Sequence, residues 1–383
     1  MKNILFVAIL SVVLFASCSS DDDLDDATSS LRQTVEHLDS NYNYELPVIF
    51  HVLYKDQSDP NQFIPYQRLV DILKYVNNIY EGNIYGESEN LHLKFVLATK
   101  DENGNTLSTP GVEYVKYTGS YPIDPSSFMN DNTGKNVKYI WEPNNYINVM
   151  MYNFKQDSED EITLGISHMP YTVKGSHQLN GLETASENLT KKNLKYAYCS
   201  SINSLFANSY TDANGNTSYY QSSRYLHPDD SLQTYSSADI VVTLAHELGH
   251  YLGLFHTFSE VKSNGSTSYE SVDTCADTDY CTDTYSYNRN DYLSYEKYLN
   301  VQYTTPSLEL LIQRQSCDGI SFEAYNIMDY TWTLGYQITA QQKARIRNVL
   351  NYSPLIPGPK LDGGTRAIEI SDKPLNLKIT TIK

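Results

Sequence analysis

The sequence "LAHELGHYLGLFHTF", residues 244–258, decides the fold and the chemistry of this chain. Five of its positions form one pattern: His246, Glu247, His250, Gly253 and His256. A helix places His246 and His250 one turn apart on one face, where two imidazoles can ligate one metal ion. The apolar residues of the same segment fall on the opposite face when each residue advances the helix by about 100°. We therefore expect a helix with one face in the core and its histidines in a cleft.

The rest of the pattern predicts a catalytic rather than a structural metal site. Gly253 tolerates the left-handed conformation that ends a helix, and the resulting turn brings His256 back as a third ligand. Three neutral imidazoles leave a fourth position open for water, as in catalytic zinc sites. Glu247 lies beside the ion rather than on it, which suits a general base. Incidental histidines on a structural helix would explain none of these positions.

Composition and charge limit the possible partners. The chain has 383 residues, 40% of them hydrophobic, which is enough for a substantial core. Its net charge of −18 argues against nucleic acid or an anionic lipid surface, since both require cationic patches.

The N-terminus has the features of an export signal. A short apolar run follows Lys2 and is too short to span a membrane, so we assign residues 1–17 to a signal peptide. It ends in "FASC", which resembles a bacterial lipobox with Cys18 as the lipidated residue. Residues 18–44 include an acidic run and are interpreted as a tether or pro-segment. We expect a lipid-anchored, surface-exposed protein of the outer membrane; an ordinary secretory signal, with a periplasmic or secreted product, is the alternative.

Mixed helix and strand signals follow the tether. Residues 46–54, 91–98, 146–154, 163–170 and 194–202 have the patterns of strands, and "PYQRLVDILKYVNNIY" has that of a helix packed on a sheet. Thr339 and Gln342 form a capping-box pattern that predicts a C-terminal helix. We place a single catalytic domain at 45–352 and expect the Pro/Gly-rich tail, 353–383, to lie outside its core.

Besides Cys18, the exported part of the chain contains four cysteines: Cys199, Cys275, Cys281 and Cys317. An even number in an oxidising compartment favours two disulfides, with three possible pairings. A structural zinc site is the competing interpretation, but the spacing from Cys275 to Cys281 lacks the short paired spacing of such sites.

The motif and its surroundings resemble the metzincin metalloproteases, and within them the pappalysin group. All five motif positions match, and "YNIMDY" downstream resembles the Met-turn, with Met328 beneath the zinc site. The resemblance covers about residues 45–350 and implies an α+β, zincin-like fold with a mixed sheet, an active-site helix and two subdomains around a cleft. It also implies that "TLGISHMP" is the edge strand on which a peptide lies antiparallel. Tyr330 lies where related enzymes place a tyrosine that stabilises the oxyanion; a core tyrosine behind the turn is the alternative.

An acidic segment between the motif and the Met-turn suggests a second metal. "DTCADTDYCTDT" contains Asp273, Asp277, Asp279 and Asp283, and closely spaced carboxylates suit Ca²⁺. The resemblance also allows calcium there. A solvated acidic loop is the alternative.

Together these features predict a zinc endopeptidase that cleaves extracellular proteins or peptides and contacts a membrane only through its lipid. A catalytically silent binding protein of the same fold is one alternative, and the intact Glu247 argues against it. A zinc hydrolase of a non-peptide amide is another, which a peptide-binding edge strand disfavours.

Overall fold

The computed structural model describes residues 41–156, 162–186, 188–211, 214–215, 217–225, 234–361 and 371–383. The predicted signal peptide and Cys18 lie outside these residues. Within them, no helix combines the length and the apolar character needed to cross a bilayer.

The described residues form thirteen strands and six α-helices. The strands are β1 (Tyr44–Tyr54), β2 (Leu93–Leu97), β3 (Val112–Lys116), β4 (Ile147–Tyr152), β5 (Gly165–His168), β6 (Ser200–Asn203), β7 (Ser209–Thr211), β8 (Thr217–Tyr219), β9 (Glu260–Val261), β10 (Glu270–Ser271), β11 (Gln313–Gln315), β12 (Ser321–Glu323) and β13 (Thr381–Ile382). The helices are α1 (Tyr66–Glu81), α2 (Pro125–Met129), α3 (Ile240–Tyr251), α4 (Arg289–Gln302), α5 (Leu308–Leu311) and α6 (Ala340–Tyr352).

A seven-stranded mixed sheet forms the centre of the molecule. Its order is β13-β5-β6-β4-β1-β2, and β3 pairs with β1 beyond the end of β2. The pairings of β1 with β2, β3 and β4, and of β4 with β6, are parallel. Strand β5 runs antiparallel to β6, and β13 runs antiparallel to β5. The predicted α+β fold with a mixed sheet and an active-site helix is therefore confirmed.

The central strands are long apolar runs because both faces of the sheet are covered. Every residue of β4 is buried, and β1 is buried from Phe50 to Leu53. On one face lie α1 and α3, joined by a hydrogen bond from the Tyr80 hydroxyl to the Ala245 carbonyl at 2.9 Å. This packing fixes the motif helix beneath the sheet.

Helix α6 begins at a capping box in which Thr339 and Gln342 each bond the other's backbone N–H. The predicted C-terminal helix is therefore present.

The last strand predicted before the motif is shorter than expected, because β6 starts only at Ser200. The segment before it, from Leu194 to Cys199, is largely buried but does not form a regular strand.

The expectation that residues 353–383 lie outside the core is wrong. Leu355 and Ile356 are fully buried, as is Ile382 in β13. Proline and glycine end α6 and turn the chain, but the apolar residues between them still pack on the domain. The C-terminal segment therefore supplies an edge strand of the main sheet.

The prediction of two disulfides is also wrong. Cys275 and Cys317 form a disulfide with a Cα–Cα distance of 5.4 Å, while Cys199 and Cys281 are free and buried. The Cys199 thiol lies in the interior, with its Sγ 3.5 Å from the Met129 Sδ. Burial raises the pKa of both free thiols to about 12, so they remain protonated.

Candidate active site

Helix α3 carries the motif and is capped at both ends. Asp239 accepts a hydrogen bond from the Val241 N–H at its start. Gly253, just after its end, has a φ of +96°, and its N–H donates to the His250 carbonyl at 2.8 Å. Arg345 of α6 holds this turn: its Nε donates to the Gly253 carbonyl at 2.6 Å, and its Nη2 donates to the Asn180 carbonyl at 2.6 Å.

The turn brings the three histidines of the motif together. The Nε2 atoms of His246 and His250 are 2.9 Å apart, and each is 3.2 Å from the Nε2 of His256. All three side chains are buried. Among the described residues, this is the one group of three or more His, Cys, Asp or Glu ligand atoms that lie within 4.8 Å of one another.

The partners of the other ring nitrogens determine the tautomers. His246 Nδ1 lies 2.7 Å from the Ile327 carbonyl, and His250 Nδ1 lies 2.8 Å from the Leu254 carbonyl. A carbonyl can only accept a hydrogen bond, so both Nδ1 atoms carry the proton. His256 Nδ1 lies 2.7 Å from Glu260 Oε2, which is also an acceptor when ionised. The Nε2 atoms of His246 and His250 are therefore unprotonated, and the Nε2 of His256, which points at both, is unprotonated when Glu260 is ionised.

Burial also keeps these rings neutral. Desolvation, followed by the proximity of His256, lowers the pKa of His246 to about 3. Desolvation is likewise the main cause that holds the pKa values of His250 and His256 well below the usual range. Neutral imidazoles with converging lone pairs repel one another unless a cation lies between them. The three nitrogens thus fit a metal ion, and imidazole suits zinc.

Met328 packs against the helix that carries His246 and His250. It is fully buried, and its Sδ is so close to Gly249 that a Cβ there would approach it to 2.7 Å. Its carbonyl accepts a hydrogen bond from the Thr257 N–H at 3.2 Å. Met328 therefore contacts α3 between two of the histidines and also holds the segment that follows the third.

Glu247 lies beside the histidines and next to β5. A Cβ on Gly165 would collide with its carboxyl group, so only glycine permits this approach. The Ser167 hydroxyl donates to the Glu247 carbonyl at 2.8 Å and fixes the helix against the strand. Burial raises the pKa of the Glu247 carboxyl to about 8, and its Oε2 has no hydrogen-bond partner in the structure. Such an acceptor is suited to a proton from a group in the cleft.

Tyr330 packs against the cluster on the other side. Its ring centroid is 4.5 Å from that of His256 and 5.5 Å from that of His246. The guanidinium of Arg289 lies over the outer face of the ring, 4.6 Å from its centroid. Tyr330 therefore lies beside the histidines and lines the cleft, rather than being confined to the core behind the turn.

Glu260 is a site residue that the sequence analysis missed. It is 2% exposed, and its carboxylate holds the Nδ1 of His256. Burial raises the pKa of this carboxyl to about 8. An acidic residue shortly after the third histidine was the available signal. This signal was not decisive, because a loop separates His256 from β9, which begins at Glu260, and the spacing alone does not predict that Glu260 contacts His256.

The cleft around these residues has a volume of about 850 Å³. One wall is formed by residues 163–166, which lead into β5 and form its first half. The opposite wall consists of residues 267–271 and the segment after the Met-turn. His246, His256 and Glu247 also line the cleft, so an extended chain bound in it would pass over them.

The acidic segment is split between two places. Asp279 is buried and accepts bonds from the Cys281 N–H at 2.9 Å and the Thr284 hydroxyl at 2.8 Å. A neighbouring Asp277 carboxyl contributes to the raised pKa of Asp279, about 7, although burial is the larger cause. Asp283 instead accepts from the Thr339 hydroxyl at 2.7 Å and caps α6. The structure brings Asp277 and Asp279 together and directs Asp283 elsewhere.

Comparison with known proteins agrees with this site. Residues 190–351 match the family model of peptidase M43, described as pregnancy-associated plasma protein-A. Similar solved structures include mature mirolysin of Tannerella forsythia in complex with a cleaved peptide, with 19% identity, a TM-score of 0.49, and coverage of 81% of this chain and 92% of that chain. A promirolysin variant of the same organism has 18% identity and a TM-score of 0.48, over 86% of each chain. No curated protein sequence matches the chain. Residues 190–351, the segment that carries the histidine motif and Met328, are therefore similar to the peptidase M43, or pappalysin, family of metalloproteases.

Proposed function

We propose that this protein is a zinc endopeptidase that cleaves extended peptides lying along β5. The observation that carries the proposal is the convergence of the three histidine Nε2 atoms beside a buried carboxyl group. His246, His250 and His256 would hold the ion. When bound, zinc supplies a Lewis acid and lowers the pKa of water to about 7.

Glu247 is the general base of this reaction. Glu247 lines the cleft, and its Oε2, which has no hydrogen-bond partner in the structure, takes a proton from the attacking water. The same oxygen then returns the proton to the nitrogen of the departing amine. Tyr330 lies against His256 at the cleft wall, where we assign it a hydrogen bond to the oxygen of the scissile carbonyl.

The edge of β5 is the substrate-binding strand. Its other edge pairs with β6, and Gly165 lies against Glu247. A peptide that added antiparallel to this edge would receive main-chain hydrogen bonds and bring one of its carbonyl groups to the catalytic residues. This arrangement favours an unfolded or extended peptide as substrate over a compact non-peptide amide.

We also propose that the protein works outside the cell. Residues 1–17 would be removed, Cys18 acylated, and the segment that follows Cys18 would form the tether to the catalytic domain. Protease shaving of intact cells tests this: the protein should be lost from the surface, and Cys18→Ala should abolish its lipidation. Full protection from the protease in intact cells would place the protein in the periplasm.

A diverse peptide pool, sequenced by mass spectrometry after incubation, tests the activity. Internal cleavages that disappear with EDTA and return with zinc support the proposal, and an intact pool with stoichiometric zinc contradicts it.

Calcium at Asp277, Asp279 and Asp283 stays a prediction. Thermal melts after EDTA, with zinc alone or with zinc plus calcium, test it through a calcium-dependent rise in midpoint.

A further inference from the structure

Strand β13 pairs with the edge of β5 to which we assign the substrate. Thr381 lies opposite His168 and Ile382 opposite Ser167, in an antiparallel register. The Met169 N–H donates to the Thr380 carbonyl at 2.9 Å, just beyond this pair. An edge strand has one row of free backbone groups and can pair with one chain at a time. A peptide cannot therefore occupy the β13 half of this edge while β13 is in place.

The direction of β13 shows which half of a substrate it would replace. Along β13 the chain passes His168, then Ser167, and a continuing strand would next pass Ile166 and Gly165. Gly165 is the residue that contacts Glu247. A peptide in the same direction would thus reach the catalytic base after the positions that β13 occupies. These positions lie on the N-terminal side of the bond to be cleaved.

The segment also extends across the cleft. The Thr381 N–H donates to the Thr267 carbonyl at 2.7 Å, and Ser268 forms a parallel bridge with Thr381. Thr381 and Lys383 are both among the cleft-lining residues. The same few residues therefore connect the two walls of the cleft on one side of the histidines.

Side-chain contacts hold this segment in place. Ile382 is fully buried and Ile379 is 8% exposed. Lys262 donates to the Thr380 hydroxyl, and the Tyr171 hydroxyl donates to the Lys378 carbonyl at 2.8 Å. The ladder itself is only two residues long, which makes its release from the edge possible without unfolding the sheet.

We propose that residues 379–383 are an intramolecular competitor of the substrate, bound in the position of the chain N-terminal to the scissile bond. The inference rests on the proposed function, because it takes β5 as the substrate strand. A competitor of this kind raises the apparent KM by the reciprocal of the fraction of molecules in which the edge is free. It leaves kcat unchanged, since saturating substrate displaces it.

The test uses Thr381→Pro in the full chain, which removes the N–H that bonds Thr267 and disfavours the strand. Asn376→Pro is the matched control, because Asn376 is exposed and precedes the strand. For hydrolysis of a fluorogenic peptide, we expect Thr381→Pro to lower KM by about tenfold at constant kcat, the result of a closed fraction of about 90%. An unchanged KM in a folded Thr381→Pro chain would overturn the proposal.

A binding measurement separates this proposal from the proposed activity. A fluorescent peptide of the sequence LKITTIK should bind Thr381→Pro more tightly than the unmodified chain, as measured by anisotropy. Equal affinity for both chains contradicts competition. Tighter binding by the variant without cleavage of any peptide by either chain supports competition and contradicts the proposed activity.

A second substitution covers the case in which Thr381→Pro does not fold. Lys262→Ala removes the contact with Thr380 at the surface of the segment, and Lys192→Ala removes a comparable lysine that pairs with Asp372 outside the strand. We expect a lower KM for Lys262→Ala alone. Equal KM values for the two lysine variants and the unmodified chain would contradict the proposal.

Discussion

Glu260 Oε2 accepts a hydrogen bond from His256 Nδ1 at 2.7 Å, and both side chains are 2% exposed. The bond fixes the ring so that its Nε2 faces the other two histidines. His246 and His250 obtain the same orientation from backbone carbonyls, whereas His256 depends on a side chain. The third position of the cluster can therefore be altered by mutation without changing the ligand itself.

Glu260→Ala should weaken zinc binding by about 10-fold to 100-fold, the usual effect of removing an outer partner of a metal-ligating histidine. Glu260→Gln should retain most of the affinity, because its amide oxygen still accepts from Nδ1. Competition with a chelator measures both values, and Glu309→Ala on the exposed face of α5 is the control. Equal zinc affinity in Glu260→Ala and the unmodified chain would show that the ring is held by packing alone.

Glu247→Ala should leave zinc bound and the fold intact while lowering peptide hydrolysis by about 10²-fold to 10⁴-fold, the usual contribution of a positioned general base. His250→Ala is the contrasting variant, since it should reduce the zinc content itself. Metal analysis and kcat/KM measured on the same samples distinguish the two effects. Near-full activity of Glu247→Ala with stoichiometric zinc would rule out the mechanism.

Loss of the Cys275–Cys317 disulfide should destabilise the protein by about 4 kcal/mol, because the chain-entropy model assigns that value to a closed loop of 42 residues. Urea unfolding of Cys275→Ser and Cys317→Ser measures the loss, and reduction of the unmodified chain should reproduce it. Reduction should not change the state of Cys199 or Cys281, which are free. An unfolding midpoint that is insensitive to reduction would contradict this prediction.

His168 should make the protein less stable as the pH falls. Burial lowers the pKa of His168 to about 4 from the usual 6.5, with its Nε2 3.0 Å from the Met129 carbonyl. The unfolded chain takes up this proton first as the pH falls below about 6.5, so the stability provided by the neutral ring is present above that value and decreases down to about pH 4. Between pH 7 and 5, the free energy of unfolding should fall by about 2 kcal/mol more in the unmodified chain than in His168→Gln. Equal losses in urea titrations of the two chains would contradict this assignment.

Much of the site could be predicted because the motif is local. His246 and His250 share a helix face whatever surrounds them. Gly253 predicts a turn in the chain that brings His256 back towards these two histidines. Strands β1 and β4 were also predictable, since both are largely apolar runs typical of buried strands, while the mixed sheet was implied by the resemblance to the metzincins. In each case the signal lies within a few residues.

The features that were missed depend on distant pairs. Nothing near Thr381 indicates that it pairs with His168, because a two-residue strand has no periodicity. Cys199 forms no disulfide because no other cysteine lies next to its buried thiol. Which residues surround that thiol depends on the tertiary structure and cannot be read from the sequence. Glu260 was overlooked for a related reason: it contacts His256 through a loop whose path the sequence does not specify.

The contact between Arg345 and the Gly253 carbonyl has a consequence for the order in which the protein matures. The ribosome synthesises α3 well before α6. A nascent chain that already carries all three histidines therefore still lacks the Arg345 guanidinium, which bonds the turn at Gly253. It also lacks the Ile327 carbonyl that sets the tautomer of His246. Domains generally fold as units once their chain is complete, and metal binding is coupled to folding. We therefore expect the finished domain to acquire the metal ion, and we expect a chain that stops before α6 to hold its three histidines in no fixed geometry.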